Sequence, residues 1–144
     1  MKVYPSPGFG DKITSSDEYT FTSGQCHRLA EVLSEVTGWP MYAFFDTFWE
    51  PGEYDIHAFV KTPKRTFLDV EGVHTATELK VRWSEKTIRL VDDPFELNDW
   101  APYMDAEGIP RAWEIAPLVL GLYYKRVPTR ILEKINEHQR GNNH

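Results

Sequence analysis

Cys26, Leu29, Ala30, Leu33 and Thr37 fall at i, i+3, i+4, i+7 and i+11, one face of a helix over about 24–37. Ser23 or Gly24 is placed to cap that helix. Gly38 ends it, and Pro40 prevents its continuation. The period then changes. Residues 41–49 are an apolar run that reads as a buried strand, and the residues from Glu50 to Glu53 form a turn. In 54–61 the pattern alternates: Tyr54, Ile56, Ala58 and Val60 face one side, and Asp55, His57, Phe59 and Lys61 face the other. The residues from Thr62 to Arg65 give a second turn, and Thr66 to Val70 a third strand. The expected core is one helix followed by an antiparallel meander.

Beyond residue 70 the pattern weakens. Thr75 and Glu78 have the spacing of a capping box, which predicts a short helix. Thr87 to Val91 reads as a fourth strand. Pro110 and Pro128 each fit a first helical turn. The apolar stretch 111–124 carries Pro117, so a kink or two short helices are expected there. Residues 129–139 read as a closing helix. Residues 1–22, rich in Pro, Gly, Ser, Thr and Asp, read as an extended arm or loop.

Length and composition fit this outline. The chain has 144 residues, enough for one domain with a core. We read 1–144 as a single α+β domain: an arm over 1–22, a helix-plus-sheet core over 23–91, and a mainly helical extension over 92–144. Five Trp, seven Tyr and eight Phe supply large core side chains and favour strands. The net charge of −6 argues against nucleic acid or an anionic membrane as the main partner. It leaves room for a local basic patch, and Lys61, Lys64 and Arg65 gather at one turn. A lone cysteine forms no internal disulfide, so no oxidising compartment is required. No signal peptide and no run of about 18 apolar residues occurs, so a cytoplasmic location is expected.

The one cysteine stands at a helix start, with His57 and Asp69 on successive strands. That order suits a cysteine nucleophile. The thiolate is the attacking species. A helix N-terminus offers unpaired N–H donors and a positive dipole end to stabilise it. His57, held on a strand, can take the thiol proton, and Asp69 can fix its tautomer and stabilise the imidazolium. The demand on geometry is sharp. His57 and Asp69 must share a sheet face, which needs an even total for paired indices across the hairpin. A three-residue loop pairing Thr62 with Thr66 provides it; a two- or four-residue loop does not. The Cys26 amide and the Gln25 side chain are the candidate oxyanion donors.

Three other readings compete. Cys26 on the apolar face of its helix also suits a small, inert core residue. Cys26, His57, Asp69 and His74 would suffice for zinc, but no short paired spacing accompanies them, and no metal or cofactor is expected. His27 lies about 100° round the helix from Cys26 and is expected near the exposed rim. Phe44, Phe45, Phe48 and Trp49 read as core. So do Trp100, Tyr103 and Trp113, although these three would also suit a cleft.

Residues 24–72 resemble the core of the transglutaminase-like branch of the papain-like cysteine-enzyme superfamily. The resemblance rests on Gly24, Cys26 and Ala30, then His57, Ala58, Phe59 and Val60, then Leu68, Asp69 and Val70. Gly38 to Met41 stand where that family leaves its helix for the first strand. The resemblance implies Cys26 as nucleophile, His57 as base and Asp69 as the orienting acid. It implies a peptidase, amidase, deamidase or acyl transferase acting on a protein or peptide, with hydrolysis as the default outcome. Val70 departs from the proline that often follows the family's aspartate. A catalytically idle binding or regulatory module on the same fold is the alternative.

Overall fold

The computed structural model describes residues 12–22, 25–45, 55–84, 94–96 and 109–141. The expected strand over 87–91 lies outside them, as do Phe48, Trp49, Trp100 and Tyr103 and the capping residues Ser23 and Gly24. In chain order the elements are α1 (Ser15–Thr20), α2 (Cys26–Thr37), β1 (Met41–Phe45), β2 (Asp55–Lys61), β3 (Phe67–Asp69) and β4 (Gly72–His74). There follow α3 (Ala76–Ser84), β5 (Phe95–Glu96), α4 (Ile109–Leu120) and α5 (Thr129–Gly141). The class is mixed α+β. The strands form one antiparallel sheet in the order β4-β3-β2-β1-β5. Among the described residues, no helix is long and apolar enough to cross a membrane.

Strand alternation gives the sheet two different covered faces. Ala43, Ala58, Val60, Leu68 and Val70 belong to the main core with α2, α4 and α5, which contribute Leu29, Leu33, Ile115, Leu120, Ile131 and Ile135. The opposite face is a smaller aromatic core, in which Phe44, Phe59 and Phe67 pack under Leu79 and Trp83 of α3. Each fully buried large apolar side chain contributes about 1.5–3 kcal/mol, so both layers matter to stability.

The β2–β3 hairpin sets the register. Val60 pairs with Leu68 and Lys61 with Phe67, an index total of 128. The turn is closed by Arg65 N–H to Thr62 O at 3.1 Å and Thr62 N–H to Thr66 O at 2.8 Å. Pro63 occupies the turn position that its fixed φ favours. Arg65 follows in the left-handed region at φ 63°, which gives a three-residue loop. The even total puts His57 and Asp69 on one face.

Three expectations are corrected. The segment from Ser15 to Thr20 is helical rather than an extended arm. Thr14 caps it through a reciprocal box with Asp17, a Thr-x-x-Asp signal. Helix α2 begins at Cys26, two residues later than expected: its N-cap is Gln25, which makes no side-chain cap bond. Pro117 does not divide α4, which runs unbroken from Ile109 to Leu120. It sits so near the end that the helix needs only one more turn, closed by Gly121 N–H to Pro117 O. Within the mainly helical C-terminal part, Phe95–Glu96 pairs with β1 at the sheet edge.

Candidate active site

The site forms where β2 outruns β3. Lys61 N–H bonds Pro40 O on the β1 side, and Thr62 N–H bonds Thr66 O on the β3 side. Backbone direction alternates along a strand, so the N–H of Ala58 points towards β3. Continuing that register would set Val70 opposite Ala58, but β3 ends at Asp69. The empty place in the ladder is taken by the Cys26 sulfur, which accepts the Ala58 N–H at 3.3 Å. Cys26, the first residue of α2, therefore meets the sheet edge-on, beside the strand that carries His57. A register shift between Phe44 and Phe45 accompanies the pairing of Phe44 with His57. Such irregularities re-aim side chains.

His57 is fully buried. Its Nε2 lies 2.7 Å from Asp69 Oδ2. Its ring stacks on the Trp83 indole, with centroids 4.2 Å apart and planes 17° from parallel. Nδ1 makes no hydrogen bond of full geometry. Even so, the ring and the Cys26 thiol are close enough for each to change the other's ionisation. The imidazole is thus fixed at one nitrogen by a carboxylate and on one face by an indole, with the Cys26 thiol nearby.

Asp69 is held on all sides. Its Oδ1 accepts the Glu71 N–H at 2.8 Å and lies 3.1 Å from His74 Nε2. The tight β3–β4 hairpin, with Asp69 opposite Gly72 and Phe67 opposite His74, puts His74 on the same face. Helix α3 is then fastened over this corner. Thr75 and Glu78 form the expected capping box at its start, and Arg82 pairs with Glu71 near its end. Trp83 follows one residue later.

The ionisation of the three groups is coupled. Burial would raise the Cys26 pKa. The neighbouring His27 and His57 side chains, the His57 charge and the Ala58 N–H outweigh it and bring the thiol down to about 6. Burial would lower the His57 pKa; its bond with Asp69 and the nearby Cys26 thiol instead raise it to about 9. For Asp69, burial would raise the pKa, but hydrogen bonds with His57 and His74 hold it well below the usual carboxylate range. The two directions, down for the thiol and up for the imidazole, favour a thiolate–imidazolium pair over the neutral one.

Cys26, His57 and Asp69 are therefore brought together. Gln25 immediately precedes the helix, and Cys26 contributes one of the unpaired amides of its first turn. His27 is not at an exposed rim: it is buried, and its side chain acts to lower the thiol pKa. Two further residues were not singled out for this site from sequence. His74 was considered only as a metal ligand, and Trp83 not at all. The two-residue turn before Gly72 was a signal for the extra hairpin that brings His74 to Asp69. Trp83 lies beyond any local signal, because its contact depends on how α3 packs.

No protein-family model, curated protein or solved structure matches the chain.

Proposed function

We propose that this chain is a cysteine-nucleophile hydrolase acting on a carboxamide or peptide bond. The observation that carries the reading is the buried line from Cys26 through His57 to Asp69, with Trp83 and His74 bracing it. The resemblance of residues 24–72 to transglutaminase-like enzymes supports the same assignment.

The chemistry follows from the geometry. The Cys26 thiolate attacks the carbonyl carbon, and the carbonyl electron pair moves onto oxygen. The Cys26 amide and the Gln25 side chain are the donors offered to that oxyanion. Collapse breaks the C–N bond as His57 gives its Nδ1 proton to the departing nitrogen. The product is an amine or ammonia and an acyl thioester on Cys26. His57, now neutral, takes a proton from water as the water attacks the thioester. Release of the acid restores the thiolate–imidazolium pair. Asp69 keeps its charge throughout and holds Nε2–H.

The test is to incubate wild type and Cys26→Ala with a panel of peptides and primary carboxamides. New amino groups or ammonia should appear only with wild type, and hydroxylamine should trap the acyl group. Equal release by both proteins would contradict the proposal. One observation favours a second reading, a binding module of the same fold: His57 is fully buried and Cys26 is only 7% exposed. That reading predicts a thiol that small reagents reach only after unfolding.

A further inference from the structure

Among the stretches of this acidic chain that contain no carboxylate are 36–45, 56–68 and 115–132. The fold brings them to one surface. Trp39, from the first, packs on Tyr123 and Tyr124, from the third, at centroid distances of 5.0 and 5.9 Å. Lys64, at the hairpin tip of the second, places its Nζ 5.8 Å from the centre of the Tyr123 ring. Arg130 lies close enough to Tyr124 for its charge to act on the phenol. Lys125 and Arg126 follow Tyr124 directly, so each Cα is within about 8 Å of the Tyr124 Cα. Arg65 sits beside Lys64 in the left-handed region at φ 63°.

Lys64, Arg65, Lys125, Arg126 and Arg130 are all exposed. The ion pairs among the described residues use Arg28, Arg82 and Arg111 and none of these five. Internal pairing therefore does not account for the cluster. Like charges gathered this way repel one another, and that repulsion is relieved when an anion docks.

We propose that this surface binds an acidic segment of a partner protein. Two features choose that partner over a long polyanion. The molecule carries −6 overall, so a nucleic acid or anionic bilayer reaching past the patch meets a repelling surface. A short acidic peptide meets only the patch. Tyr123 and Tyr124, half-buried and backed by the buried Trp39, also offer the aromatic–arginine composition common at protein-binding surfaces. The patch is made by the hairpin tip and the turn between α4 and α5, and none of its residues belongs to the Cys26 site. The proposal therefore stands whether or not that site is catalytic.

The experiment uses Cys26→Ala full-length protein and a fluorescent peptide of alternating Glu and Asp, read by anisotropy. Binding is expected at low salt. It should weaken steeply towards physiological ionic strength, where the Debye length falls to about 8 Å. The triple variant Lys64→Glu, Lys125→Glu, Arg126→Glu should bind about tenfold more weakly or worse. The milder triple change to Gln should lie between, which guards against a folding defect in the Glu variant. Absence of peptide binding at low salt would overturn the proposal. So would equal binding by wild type and the Glu variant. Tighter binding of a single-stranded DNA of equal charge, or of phosphatidylserine vesicles, would overturn the choice of partner.

Discussion

At the residue scale, the account turns on how His57 is held. Asp69 fixes one nitrogen and Trp83 one face. Asp69→Asn replaces an acceptor with a group that can present its amide N–H to Nε2, favouring the wrong tautomer. Activity should fall by about 10²–10⁴ with little change in KM, measured as kcat on any amide found to be a substrate. His74→Ala removes one of the bonds that anchor Asp69. The expected loss is about tenfold in kcat, with partial recovery in His74→Gln, which can still donate to Oδ1. An unchanged kcat in His74→Ala would reduce His74 to a surface contact. The trio Cys26, His57 and Asp69 was legible because each sits on an element with a clear period, and its shared face follows from the hairpin register. His27 was misjudged because helical angle from Cys26 was used as a proxy for exposure. Burial there is set by tertiary packing, which no helical wheel contains.

At the element scale, two short devices place the nucleophile. The first is the join of α1 to α4. Asp17 is buried and accepts Arg111 Nε at 2.8 Å and Nη2 at 2.7 Å. Burial would raise the Asp17 pKa, but the Arg111 guanidinium and the Thr14 cap bonds hold it below the usual carboxylate range. Asp17→Ala should cost about 2 kcal/mol of stability, measured by urea unfolding. Because α1 leads directly to Gln25 and Cys26, it should also make Cys26 more accessible to alkylation. The second device is Gly38, at φ 81°, which ends α2 and turns the chain into β1. Gly38→Ala meets no steric neighbour, so its cost is conformational alone, about 1 kcal/mol. The Gly38 stop was plain in the sequence, since a glycine followed by a proline has few other meanings. The α1 cap was equally local and was obscured by the Ser- and Gly-rich composition around it. The Asp17–Arg111 pair spans 94 positions, and nothing local announces it.

At the scale of the whole molecule, the ionic pair has an unusual consequence for pH. Between about 6.5 and 9 the unfolded chain carries the proton on Cys26, and the folded chain carries it on His57. Folding then moves a proton without binding or releasing one, so the pair adds no slope to stability across that window. Acid is different. The depressed carboxyls of Asp69 and Asp17 contribute stability that is complete above their unfolded value of 3.8 and is lost as pH falls below it. Urea midpoints should be nearly level from pH 6.5 to 8.5 and fall below about pH 4. Asp69→Asn should flatten the acid limb. The antiparallel meander and α+β class were readable because period and turn residues agreed from Cys26 to Asp69. The two-sided burial of the sheet was not, because α3 closes the aromatic face through contacts its own weak amphipathicity does not signal.

The most direct test of the central claim is the rate of iodoacetamide alkylation of Cys26 as a function of pH, in wild type and in His57→Ala. The chain has one thiol, so the signal is unambiguous. The account predicts a wild-type midpoint near 6, and an upward shift in the variant towards the ordinary thiol value of about 8.5. A wild-type thiol that titrates at the ordinary value, or reacts only after unfolding, would contradict it.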